Sequence, residues 1–120
     1  MPYSSGLAKR IRERLLRLKV PEVEEKAMMG GLVFMVDDKM CLGVIGDTLM
    51  CRIDPEDRPS LLARPGCGEM AFTGRTMKGF VIIEPEGMDS RSDFEFWVDQ
   101  ALEFNPRAKS SKKKRTANTF

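Results

Sequence analysis

The stretch from Met28 to Ile53, MMGGLVFMVDDKMCLGVIGDTLMCRI, constrains the fold more than any other part of the chain. Short apolar and β-branched runs alternate with GG at 30–31, DDK at 37–39 and GD at 46–47, which is the pattern of strands joined by tight hairpin turns. With Gly46 and Asp47 as a two-residue turn, Val44 opposes Leu49 and Leu42 opposes Cys51. Leu42, Val44, Leu49, Cys51 and Ile53 then share the face that packs under helices, while Cys41, Ile45, Met50 and Arg52 share the other. That second face is more apolar than exposure to solvent requires, so Met50 and Ile45 mark a candidate interaction surface.

Two helical stripes supply the cover for the first face. Leu7, Ala8, Ile11, Leu15 and Leu18 fall within an arc of about 100° on a helix. Ser4 or Ser5 is available to cap its start, and Pro21 stops it near Val20. At the other end, Phe94, Trp97, Val98, Ala101, Leu102 and Asn105 recur at helical spacing behind an S-x-x-D capping box formed by Ser90 and Asp93. Trp97 sits at the centre of that arc and is expected to anchor the core. Phe96 points about 200° away from Phe94 at helical pitch, which makes it a third candidate interaction residue beside Met50 and Ile45.

Between the stripes, Asp54 caps a short middle helix with Pro55 at its first position, and Glu56 and Asp57 lie where acids favour the helix dipole. Pro59 leaves that helix late or distorted. These three carboxylates read as caps and not as a hard-cation site, which would gather more oxygen ligands. FTGRTMKGFVIIEPEG then gives a loop followed by a buried strand from Gly79 to Glu84. The expectation is an α+β fold of two layers: an antiparallel sheet of four to five strands with an N-terminal helix, a short middle helix and a C-terminal helix.

At 120 residues and 42% hydrophobic content the chain is the size of one domain. No apolar run approaches the roughly 18 uncharged residues of a membrane span, and the N-terminal MPYSSGLAKRIRERL lacks the apolar centre of a signal peptide. A cytoplasmic protein with no membrane partner is expected. Three cysteines, Cys41, Cys51 and Cys67, form no C-x-x-C pair and are expected to be reduced. Residues 107–120 hold six Lys/Arg and no acid, so the remaining 14 bases and all 18 acids leave the body at −4. The division expected is a folded domain at 1–106 and a disordered basic tail at 107–120.

The side chains exclude more chemistry than they suggest. With no histidine, Ser-His-Asp and Cys-His nucleophiles are absent, as is the commonest zinc ligand. Cys41 and Cys51 read as buried, inert thiols; Cys67, in a Gly-Cys-Gly turn, is the most accessible. GRTMKG at 74–79 has phosphate-loop glycine spacing, but Phe80 and Val81 stand where Lys and Ser/Thr would be needed and a strand follows. Arg75 and Lys78 in that glycine-flanked loop remain a candidate anion-binding pair. No catalytic, cofactor or metal set is expected. Arg10, Arg14 and Arg17 on the first helix, with Lys112, Lys113, Lys114 and Arg115 in the tail, are candidate nucleic-acid contacts of weak, non-specific type.

MMGGLVFMVDDKMCLGVI, LARPG, FTGRTMKGFV and FWVDQALEFN occur in an order and spacing that resembles the N-terminal domain family of TfoX (Sxy), over roughly residues 5–105. The resemblance implies an antiparallel sheet with flanking helices, similar to secretion-chaperone-like folds. It also implies kinship with bacterial regulators of competence genes that act with the cyclic-AMP receptor protein, many relatives consisting of this domain alone. It carries over no catalytic residue. Met29 stands where an aromatic is common before GG, and Thr76 replaces a frequent proline. The resulting expectation is a non-enzymatic regulatory or protein-interaction domain, binding an unknown protein partner or a second copy of itself. A nucleic-acid-binding accessory role is the alternative.

Overall fold

A computed structural model describes residues 3–108. Lys112, Lys113, Lys114 and Arg115 lie outside the described residues. Helix α1 spans Ser5–Arg17, capped by the Ser4 hydroxyl, which accepts from the Leu7 N–H at 3.1 Å. Four antiparallel strands follow: β1 (Val23–Met28), β2 (Gly31–Val36), β3 (Lys39–Ile45) and β4 (Thr48–Arg52). A 3₁₀ turn at Pro55–Asp57 leads into the short helix α2, Arg58–Leu62. Strands β5 (Cys67–Phe72) and β6 (Arg75–Ile83) form a second hairpin, and helix α3, Arg91–Phe104, closes the fold.

The sheet has six strands in the order β1-β2-β3-β4-β6-β5, where four to five were expected. The additional strand is β5, CGEMAF, whose Gly-Cys-Gly start reads as a turn in sequence and which gains strand geometry only by pairing with β6. The Gly46–Asp47 hairpin has the expected register, with Val44 opposite Leu49 and Leu42 opposite Cys51. The N-cap half of the expected capping box forms, the Ser90 hydroxyl accepting from the Asp93 N–H at 3.0 Å.

All three helices lie against one face of the sheet. Leu7, Ile11 and Leu15 of α1, Leu61 of α2, and Phe94, Trp97, Val98 and Ala101 of α3 pack on Phe34, Leu42, Val44, Leu49, Cys51, Val81 and Ile83. Trp97 is 1% exposed, as its place at mid-stripe requires. Cys41 joins this core instead of the second face. Phe34 pairs with Leu42 but Met35 pairs with Met40, so Cys41 is the extra residue of a bulge, and the period-two alternation is broken there.

The end of α3 is tied down by buried polar groups. Asn105 donates from its side-chain amide to the Val36 carbonyl at 3.1 Å, and Lys39 reaches the Asn105 carbonyl at 3.1 Å, where a cation complements the helix C-terminus. Asp54 caps its turn by accepting from the Glu56 N–H and pairs with Arg107. Ala108 is buried. Arg107 and Ala108, the last described residues, therefore pack against the body of the domain.

Candidate interaction surface

Among the described residues, none from a helix contributes to the second face of the sheet. Val33, Met35, Met50, Met70 and Phe80 form a separate buried cluster there, with Met29, Met40, Ile45, Met77 and Ile82 half-buried around it. The strand registers place Val33, Gly43, Met50, Ile82 and Gly68 in one row across the sheet. Met50 is fully buried within this cluster and so is no exposed interaction residue. Gly43 beside it in the row leaves room for its unbranched side chain to lie along the sheet. Ile45 is half-buried at the margin of the same cluster.

The β5–β6 hairpin contributes by an irregularity that sequence periodicity does not announce. Glu69 pairs with Val81 and Ala71 with Thr76, leaving Met77 to Phe80 opposite Met70 alone. A bulge of this kind re-aims side chains, and Met77 joins the second cluster beside Phe80, which reaches that face by plain alternation with Ile82. Arg75 and Lys78 are exposed on β6, within and beside this bulge, not in a connecting loop. Arg52 covers one end of the face, its guanidinium 5.6 Å from the Phe80 ring centroid and its Nη1 donating to the Met40 carbonyl at 3.5 Å. Burial lowers the Arg52 pKa.

Phe96 is also covered from within the chain. The Arg64 guanidinium stands 3.8 Å from its ring centroid, and Trp97 meets it edge to face with centroids 5.1 Å apart. The far side of α3 is therefore not open at Phe96, because Arg64, in the turn after α2, reaches across it. Cation–π contact explains the placement of both residues.

On α1 the arginines are engaged with the protein itself. Arg10 lies 4.2 Å over the Phe94 ring, Arg12 forms two hydrogen bonds with the Glu25 carboxylate, and Arg14 faces Glu95 and Asp99 at 3.4 Å. Arg17 is exposed. The structure brings Arg10, Arg14 and Arg17 together with Arg91 along one open groove, but Glu13, Asp89 and Glu95 line it too. A phosphate entering there meets three carboxylates.

The thiols are held protonated at neutral pH. Burial pushes Cys41 up to about 12 and Cys67 up to about 11, and raises Cys51 well above its ordinary value. Among the described residues there is no group of three or more His, Cys, Asp or Glu that could hold a metal ion. No helix among them is long and apolar enough to cross a membrane. The sequence model of one family, described as the TfoX N-terminal domain, matches residues 14–105. No curated protein and no solved structure matches the chain.

Proposed function

The chain belongs to the TfoX N-terminal domain family, and from that premise we propose that it is a non-enzymatic regulatory domain that receives a protein partner on the methionine-lined face of its sheet. The single observation that carries this reading is the asymmetry of the two layers. Every helix packs on one face, while the other presents Met29, Met40, Ile45, Met77 and Ile82 half-exposed around a fully buried apolar centre. Methionine is unbranched and polarizable, and surfaces rich in it adapt to partners of varied shape. The raised thiol pKa values support an inert role for the cysteines, since the thiolate is the nucleophile.

Site-specific photo-crosslinking in the native host tests the proposal, with the crosslinker placed at Met77, at Met40 and, as a control, at Lys9 on the exposed side of α1. Partner adducts are expected from the two sheet positions and not from Lys9, and Ile45→Lys should abolish them while leaving the circular dichroism spectrum unchanged. Adducts only from Lys9 would overturn the assignment of the face. Tight, sequence-selective duplex DNA binding by residues 1–108 would replace the proposal with a nucleic-acid role, and its salt dependence would report the phosphate contacts.

A further inference from the structure

We propose that two copies of this chain join through the free edge of β1, in one register selected by charge. β1 is the terminal strand of the sheet, and its residues are exposed apart from the half-buried Lys26. Met29 and Gly30 form the two-residue turn to β2 with φ of 58° and 77°, so Met28 and Gly31 are the hydrogen-bonded pair that closes the hairpin. Alternation makes Lys26–Val33 and Glu24–Met35 hydrogen-bonded pairs as well. The Asp37 N–H donates to the Glu22 carbonyl at 3.0 Å, one further step of the same parity. The main-chain groups of Val23, Glu25 and Ala27 therefore point to the open edge.

A two-fold axis normal to the sheet continues it into a second copy with the helices of both on one side. Directly opposed residues must then be of the same parity. With Glu25 at the axis, Val23 hydrogen-bonds with the partner's Ala27, and Glu24 stands against the partner's Lys26 in a close, non-hydrogen-bonded pair, twice by symmetry. Moving the axis to Lys26 or to Glu24 loses both Glu24–Lys26 pairs and sets Lys26 or Glu24 against its own copy, with no Arg12 bonded to it as at Glu25. Charges on an edge strand discourage pairing with an arbitrary strand, yet those of β1 are complementary in this register.

Glu25 meets its own copy at the axis, but each carboxylate already carries its Arg12, at 2.7 and 2.8 Å, and Arg12 lowers the Glu25 pKa. Each carboxylate at the axis is thus neutralised by its own Arg12, which offsets the repulsion between the two. Leu16 follows Arg12 by one turn, on the side of α1 that faces β1. Leu16 is 72% exposed and Val23 37%, and a second α1 set beside the first across the axis would cover both.

Sedimentation velocity on the full chain, from low to high micromolar concentration, should show a monomer–dimer equilibrium. Glu24→Lys and Lys26→Glu should each raise the dimer Kd about tenfold, and the two together should restore it. Ala27→Pro, which removes an outward N–H, should abolish the dimer. A parent that sediments as a monomer throughout overturns the proposal, as does a dimer indifferent to both single reversals or one that the double reversal fails to restore. A dimer broken by Ile45→Lys but not by charge reversal would move the interface to the other sheet face and overturn it equally.

Discussion

The terminal methyl of Met50 lies 3.3 Å from the place where a Cβ on Gly43 would stand, and the two residues are direct cross-strand partners. The same Cβ would come within 2.7 Å of the Leu32 carbonyl oxygen and 3.2 Å of the Val33 Cα. Gly43 is thus required twice, by the closeness of β2 and by the methionine that occupies its empty side. Gly43→Ala should cost about 1–3 kcal/mol through overpacking, read as a lower urea midpoint at unchanged m-value. A midpoint equal to the parent's would mean that β2 and β3 separate freely at this pair.

Trp97 is the largest of the fully buried side chains and joins α3 to the helix side of the sheet, its own carbonyl accepting from the Cys51 thiol at 3.5 Å. Trp97→Ala should destabilise the domain by about 3–5 kcal/mol, measured by chemical denaturation. Phe94→Ala, at the helix-terminal end of the same stripe, should fall in the same range, because its ring is buried and carries Arg10 on one face.

Arg64 is expected to protect Phe96, not to recognise a ligand. Arg64→Ala should lower stability by about 0.5–2 kcal/mol through the lost cation–π contact and expose the Phe96 ring. Binding of a hydrophobic dye at saturating concentration should rise in that variant. Arg64→Lys should recover part of the stability, since an ammonium keeps the charge but not the planar stack.

The buried thiols make the domain sensitive to base. Burial raises Cys41 from 9.0 to about 12 and Cys67 from 9.0 to about 11 in the folded chain. The folded state then keeps protons that the unfolded state gives up. The stabilisation is fully present below pH 9.0 and is lost as pH rises through the folded values of about 11 and about 12. The urea midpoint should decline across that window, and Cys41→Ala with Cys67→Ala should lessen the decline, the buried Cys51 thiol keeping the remainder. An equally steep fall in the double variant would assign the base sensitivity to other groups.

How far the sequence determined this protein follows from the range of each interaction. The Ser4 and Ser90 caps, the α1 and α3 stripes, the Asp54 turn and the Gly46–Asp47 hairpin register are all written within a few residues of where they act. Local hydrogen bonding and side-chain periodicity decide them, and they were legible. Strand β5 was not, because GCGEM has turn chemistry and becomes a strand only against β6. The two bulges were equally hidden. Cys41 lies on the helix side and Met77 in the second cluster because pairing partners distant in sequence slip by a residue or more.

The candidate surfaces show the same division. Apolar character on the second face was visible in Ile45 and Met50, but which methionines are buried and which remain half-exposed depends on Gly43 on the neighbouring strand and on the β5–β6 hairpin. The basic side of α1 and the outward ring of Phe96 were read correctly as positions on their helices. Glu95 and Asp99 meet Arg14, and Arg64 meets Phe96; these partners arrive from other elements and turn both apparent contact points into internal ones. Periodicity fixes the direction in which a side chain leaves its own helix or strand. What it meets there is settled only when the other elements pack, because charge pairing and burial act through space and not along the chain.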